Sequence, residues 1–398
     1  MHFTRYFKAT FAVAAVFGSF ALTNQPAAAQ SSSQCSSGAA SVFIPGVGFV
    51  ASSSSSGCYG QFQQDVLLGI VTNITQGVRD QLHRRLVTPT TTAPLHFSGE
   101  QDTAFDGQNP FANIAASDPF SALAYAKVYT KAPPPAAAPV WLYGANLVGS
   151  FDQSYTFGNQ INIGTVTGAF DVTKIGIFTT SDALTFIGTG SGSWAHSFAG
   201  PFSQWDSTTP AGSGTLSYLN GGFSADFTVL ASGTDYSSPA LLVAPTNNSV
   251  VSFMGNGQYR FDFAYGVFIE PTAGVTYTEV YTSDFGMKVA DYTEVHGGAR
   301  LGTEMKWMGY TVQPVLSGSV FQIEDYNVST NPIAATIIPA SPNLGLGGRG
   351  SAKITVLWSD HFSSYLEGHT SGIAGTKTVV AIPALQTTGA QAGLRYTW

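Results

Sequence analysis

From Ala390 to Trp398 the chain alternates without a break between two chemical classes: Ala390, Ala392, Leu394, Tyr396 and Trp398 are apolar, and Gln391, Gly393, Arg395 and Thr397 are small or polar. Successive side chains of an extended strand point to opposite faces, so this spacing predicts a strand with one apolar and one hydrophilic surface. The pattern recurs upstream. Between Val295 and Trp307, the apolar Val295, Ala299, Leu301, Met305 and Trp307 oppose His296, Arg300, Glu304 and Lys306. Phe223, Ala225, Phe227 and Val229 oppose Ser224, Asp226 and Thr228, and Val267, Ile269, Val275 and Tyr277 oppose Glu270, Thr272, Thr276 and Thr278. The charges keep to one face. Such segments, separated by Gly, Asn, Asp and Pro turns, begin near Val140, Ile161, Asp182, Gly214, Phe223, Gly257, Val267, Val295, Tyr310, Gly348, Ser363 and Ala390. Twelve is an even number, as a closed antiparallel barrel of this kind requires.

A soluble sheet would also alternate, and composition decides between the two. Charged residues are 10% of the chain, against about 25% in ordinary soluble domains. That is too little to solvate so large a surface, whereas a barrel facing lipid outside and a polar lumen inside needs little. Aromatics stand at strand ends (Trp141, Tyr143, Trp307, Tyr310, Trp358), where a belt would meet the membrane interfaces. The expected fold is therefore all-β, a twelve-stranded antiparallel transmembrane β-barrel over residues 140–398. Every apolar run after Leu22 is interrupted within a few residues, which excludes a helical membrane protein. The net charge of -7 and the lack of a basic patch argue against nucleic-acid binding.

The N-terminal third has a different character. Arg5 and Lys8, the apolar run from Phe11 to Leu22 and Ala27-Ala28-Ala29 predict a secretory signal peptide over 1–29. Residues 30–60 are a Ser/Gly-rich low-complexity segment without the apolar content for an independent core. It contains both cysteines, Cys35 and Cys58; export permits a disulfide between them, with two free thiols as the alternative. Over 61–87, Phe62, Val66, Ile70, Ile74, Val78, Leu82 and Leu86 recur every fourth residue and Leu67 and Val71 widen the stripe. This predicts an amphipathic helix, with Arg79, Arg84 and Arg85 weighting its C-terminal end as the helix dipole favours. Residues 88–139, interrupted at Asn109-Pro110 and Asp118-Pro119 and ending in the Pro133–Pro135 run and Pro139, read as a flexible Pro-rich linker.

Chemical motifs are sparse. Gly345–Gly350 satisfies G-x-G-x-x-G, but no βαβ unit surrounds it and it reads as a loop or hairpin entry. His361 and His369 flank one strand without a third ligand. No H-E-x-x-H, G-x-S-x-G or C-x-x-C occurs, so no catalytic residue, metal or cofactor is expected and the chain does not read as an enzyme. The lumenal charge cluster Glu270, Arg300, Glu304 and Lys306 is read as an ion-pair network, with contact to a pore helix or selection of a permeating solute as the functional alternative.

Taken together, Asn220–Thr228, Tyr259–Asp262, Phe268–Tyr277, Gly298–Thr303 and Ala392–Trp398 make the region 140–398 resemble the C-terminal β-domain of autotransporters, of the alphaproteobacterial type. The resemblance implies a monomeric barrel in the cell outer membrane, embedded in outer-membrane lipid. It would be inserted by the barrel-assembly machinery through a C-terminal signal comprising Leu394, Tyr396 and Trp398, with a helix left in the pore. Residues 61–87 are the candidate for that helix; a position outside the pore is the alternative, because some fifty residues separate it from the first strand. Almost no passenger precedes it. The expected function is anchoring or exposure of a short N-terminal segment at the surface, without enzymatic activity. The alternatives are a pore or plugged channel, and an adhesin acting through extracellular loops such as Asp325 to Gly347.

Overall fold

The computed structural model describes residues 41–44, 48–51, 56–87, 140–156, 159–179, 181–198, 205–238, 243–282, 286–328, 346–373 and 385–398. The expected signal peptide, the Pro-rich linker and Cys35 lie outside the described residues. Twelve long strands form one closed antiparallel barrel: β1 (Trp141–Thr156), β2 (Asn159–Ile175), β3 (Asp182–Phe198), β4 (Trp205–Asn220), β5 (Phe223–Ser238), β6 (Val243–Tyr259), β7 (Val267–Thr282), β8 (Lys288–Thr303), β9 (Tyr310–Val328), β10 (Leu346–Leu357), β11 (Phe362–Ile373) and β12 (Leu385–Thr397). Each pairs with its neighbour in sequence, and β12 closes on β1 with Leu394 opposite Leu147 and Tyr396 opposite Ala145. Closure removes every sheet edge, as an unsatisfied backbone in hydrocarbon demands.

Alternation places the two classes of side chain as their chemistry requires. Leu147, Phe151, Phe170, Phe186, Trp194, Phe227, Val295, Leu301, Ile354 and Leu366 are exposed on the outer surface. The lumenal face is built instead from buried hydroxyls that pair across neighbouring strands. Thr165 bonds Ser193 at 3.0 Å, Thr173 bonds Thr185 at 2.8 Å, Thr215 bonds Thr228 at 2.8 Å and Ser317 bonds Ser351 at 2.7 Å. Each of these pairs sits directly opposite in register, the geometry in which cross-strand pairs contribute about 0.2–1 kcal/mol. A closed barrel that is apolar outside and hydrogen-bonded within is built to cross a membrane.

The two ends differ. At one end the strands are joined by tight turns, one of them organised by Asp182, whose carboxylate accepts the backbone N–H groups of Ile177, Phe178 and Thr179 at 2.8–3.1 Å. The other end carries the longer connections 329–345 and 374–384. Eight strands start within two residues of the position expected from sequence, while β4, β6, β8 and β12 start earlier than expected. All four begin at the long-loop end, where Asp206 to Pro210 or Thr246 to Ser249 put polar residues or proline on both faces and the period of two fades.

Among the described residues two elements precede the barrel. Ser41–Ile44 pairs with Gly48–Ala51 in a short hairpin within the segment read from sequence as low complexity. A helix, α1 (Ser56–Val87), follows, starting five residues before the expected Gln61.

Candidate functional site

α1 occupies the lumen. Eight-stranded barrels are filled by their own side chains and barrels of about sixteen leave an aqueous channel; twelve strands leave room for one helix of about 10–12 Å diameter. Val66, Ile70, Ile74, Val78 and Leu82, the predicted stripe, pack against Val148 of β1, Ile161, Ile163 and Ala169 of β2, Ala183 and Ile187 of β3 and Leu219 of β4. This is an unusual lining for a lumen; on β5 to β9 the buried apolar residues, among them Leu230, Val250, Phe268 and Val315, stand between hydroxyls and charges.

The opposite side of α1 meets a charged wall. Gln64 donates to Ser252 of β6 at 2.9 Å and accepts from Ser232 of β5 at 2.7 Å. Asn73 donates to Glu367 of β11 and accepts from Lys353 of β10 at 2.8 Å. Arg79 pairs with Asp226 of β5 at 2.5 Å, and Asp80 pairs with Arg300 of β8 at 2.8 Å. Near the tight-turn end His83 bonds Asp262 at 2.8 Å, Arg84 donates to Gln313 of β9 at 3.2 Å, and Gln81 accepts from Arg395 of β12 at 2.7 Å. Partners on seven strands from β5 to β12, together with the apolar contacts on β1 to β4, enclose the helix on every side.

Arg300 is the centre of this lattice. Its side chain is 2% exposed and lies between two carboxylates, Asp80 of the helix and Glu270 of β7, each at 2.8 Å. Glu270 also accepts from Gln258, and Arg260 approaches Asp80 at 3.7 Å. A buried charge without a partner costs several kcal/mol, so Asp80 is tolerated on a lumenal helix only where a barrel cation meets it. Two of the barrel's guanidiniums are propped by aromatic rings. Arg260 lies 3.8 Å over Phe268 and Arg349 lies 4.0 Å over Phe321. Each ring rests flat on a glycine of the neighbouring strand, Gly302 and Gly347, where any Cβ would overlap the ring.

Of the sequence-predicted cluster, the structure brings Glu270 and Arg300 together. Glu304 is placed at the tight-turn rim, 3.5 Å from Arg84 and 3.8 Å from Arg260. Lys306 stands apart: Met305–Trp307 continues the hairpin in register with Tyr310–Val312, and Lys306, at this rim, is exposed and donates to Thr311 at 2.7 Å. Leu394, Tyr396 and Trp398 are exposed on the outer surface. Trp398 stacks with Tyr143 and Tyr396 at 6.2 and 6.0 Å between ring centres, and its backbone N–H donates to Tyr143 at 3.1 Å. The expected pairing of Cys35 with Cys58 falls outside the described residues. Sequence reasoning missed Asp80, Asn73, Lys353, Glu367 and the Arg395–Asp171 pair at 2.6 Å. A charge at a lumenal position of a strand was the available signal for the strand residues; a carboxylate inside a helix read as amphipathic gave none.

Between α1 and strands β6 to β12 a cavity of about 250 Å³ remains, lined by polar groups of both partners, among them Asp65, Gln76, His296, Arg349 and His369.

This barrel is similar to solved translocator domains of autotransporters. The β-domain of the Bordetella autotransporter BrkA shares 16% identity, covering 65% of this chain and 99% of that one, with a TM-score of 0.48. The translocator domain of NalP from Neisseria meningitidis shares 9% identity over 64% of this chain and 88% of that one, with a TM-score of 0.39. The transport unit of AIDA-I from Escherichia coli shares 9% over 69% and 96%, with a TM-score of 0.42. No family model and no curated protein matches the chain.

Proposed function

We propose that this protein is an outer-membrane barrel of the autotransporter type that holds its own N-terminal segment at the cell surface and performs no chemistry of its own. The observation that carries this reading is the direction of the lumenal helix. Arg85, near its C-terminal end, donates to the backbone carbonyl of Asp360 at 3.0 Å in a tight turn, whereas Gln64 lies toward the end with the longer connections. In outer-membrane barrels the short turns face the periplasm and the longer loops face outward, so whatever precedes Ser56 emerges outside. Outer-membrane lipid then covers the aromatic and aliphatic exterior, and the barrel-assembly machinery inserts a monomer through the strand ending in Leu394, Tyr396 and Trp398.

The test is an epitope placed in the Ser52–Ser56 run of the full chain. Protease added to intact cells should remove it while leaving the barrel whole; an epitope cleaved only after the outer membrane is permeabilised refutes display. A second reading, a plugged channel, is favoured by the way α1 fills a lumen whose wall carries Asp226, Glu270, Arg300, Lys353 and Glu367. Deletion of 61–87 should then raise single-channel conductance in planar bilayers, and unchanged conductance removes this reading.

A further inference from the structure

The cavity beside α1 is larger than the roughly 150 Å³ that admits a benzene-sized guest. Its floor is the charge lattice around Arg79, Arg300 and Glu367, and water reaches it past Asp65 and Gly69, which are exposed on α1 toward the long-loop end. Three carboxylates, Asp65, Glu294 and Glu367, and three guanidiniums, Arg79, Arg300 and Arg349, line it, so the formal charges cancel. Most are already engaged: Arg349 holds Glu294 through two bonds at 2.6 and 2.7 Å, and Arg79 and Arg300 hold the acids described above. An anionic solute would have to break one of these pairs to be neutralised.

What remains free is hydrogen-bonding capacity. Arg79 Nε, His369 Nδ1 and Gln391 Oε1 are buried and have no hydrogen-bond partner, and His296 Nδ1 has only Glu294 near it, at 3.4 Å. Arg79 and Gln391 are 5% and 4% exposed. A hydrocarbon would leave all of these groups unmet, at a cost for each. Hydroxyl groups donate and accept at once, and several carried on one compact ring match a mixed set of donors and acceptors. Asp65, which makes no ion pair among the described residues, adds a carboxylate able to accept from two adjacent hydroxyls.

We propose that this lumenal cavity binds one small neutral polyhydroxylated solute, of the size of a single hexose, entering from the long-loop end. The site is separate from display of the N-terminal segment and does not require it.

Titration of the full-length protein in detergent with D-glucose, D-galactose and myo-inositol, followed by ligand-observed NMR, should show saturable binding of at least one of them, with a Kd of about millimolar order. Gly69→Phe should abolish it, because a Cβ at Gly69 meets nothing within 4 Å and the ring would fill the cavity without moving the wall. Asp65→Asn should weaken binding about tenfold, the effect of one lost hydrogen bond to a charged acceptor. Sulfate and glycine, the charged and zwitterionic probes, should not saturate. Heat-modifiable electrophoretic mobility shows that each variant is folded. Lack of saturable binding by all three polyols, undiminished binding in folded Gly69→Phe, or tighter binding of sulfate or glycine overturns the proposal.

Discussion

The two walls of the lumen hold the same helix by different physics. Along β1 to β4 the contact is aliphatic: Ile74 and Val78 against Ile163, Ala183 and Ile187, all nearly or fully buried. Such a contact is strong but non-directional, and a helix sliding along it would lose little at each step. Along β5 to β12 the contact consists of paired charges and hydrogen bonds at fixed heights, with Gln64 near one end and Arg84 near the other. These contribute less net stability for the charge they bury, but each is satisfied at one position of the helix only. The apolar wall supplies affinity and the charged wall supplies register.

The sharpest way to break this division is at Arg300. Arg300→Met leaves Asp80 and Glu270 without their shared cation, and the urea midpoint of the detergent-solubilised protein should report a loss of about 3–5 kcal/mol. Replacing the whole triad with Arg300→Met, Asp80→Leu and Glu270→Leu should recover most of it, since no buried charge is then left over. Register should not recover. In a Cys35→Ser, Cys58→Ser background, a short bifunctional thiol reagent should link Gln64→Cys to Ser232→Cys, whose native side chains bond each other at 2.7 Å, as a single product in the parent and in lower yield in the triple variant. Full stability with undiminished yield would remove the register role from the charged wall.

On the other wall Ile74→Ala should cost about 2–4 kcal/mol through lost burial and the cavity left behind. The Gln64–Ser232 cross-link should stay intact, because no height-specific contact is touched. A drop in cross-linking at unchanged stability would reverse the assignment of roles. A smaller effect is expected at Gly347. Alanine there must displace the Phe321 ring on which Arg349 rests, for about 1–3 kcal/mol, and Phe321→Leu in the same chain should relieve part of it.

The two walls also differ in how far they could be read from sequence. The apolar seam was visible from the helix side only: the four-residue recurrence from Val66 to Leu82 marked that face, whereas Ile161 and Ile163, aliphatic residues in a strand, carry no sign of facing inward. For the charged wall, alternation assigned Arg300, Glu270, Asp226 and Arg395 to the inner face correctly, because a lipid-facing charge is expensive. It could not say which of them meet, since Asp80 and Arg300 are 220 residues apart and their contact exists only once the barrel is closed and the helix inserted. Lys306 shows the converse error. Parity assigns a face but not a height: Met305–Trp307 continues the hairpin in register, and Lys306 stands at its exposed rim, beyond the lumen.

The smallest effect tests whether the hydroxyl ladder belongs to either wall. Thr215 and Thr228 bond each other at 2.8 Å, both buried, and among the described residues neither hydroxyl bonds to α1. If the ladder only satisfies the sheet's own polar groups, Thr215→Val orphans one hydroxyl and should cost about 1 kcal/mol, while Thr215→Val with Thr228→Val should cost less than the single change because no unmatched group remains. Neither variant should alter the Gln64–Ser232 cross-link. A loss of helix register from the double variant would mean that the wall positions α1 through its hydroxyl pairs as well as through its ions, and the boundary between the two halves of the lumen would have to be drawn elsewhere.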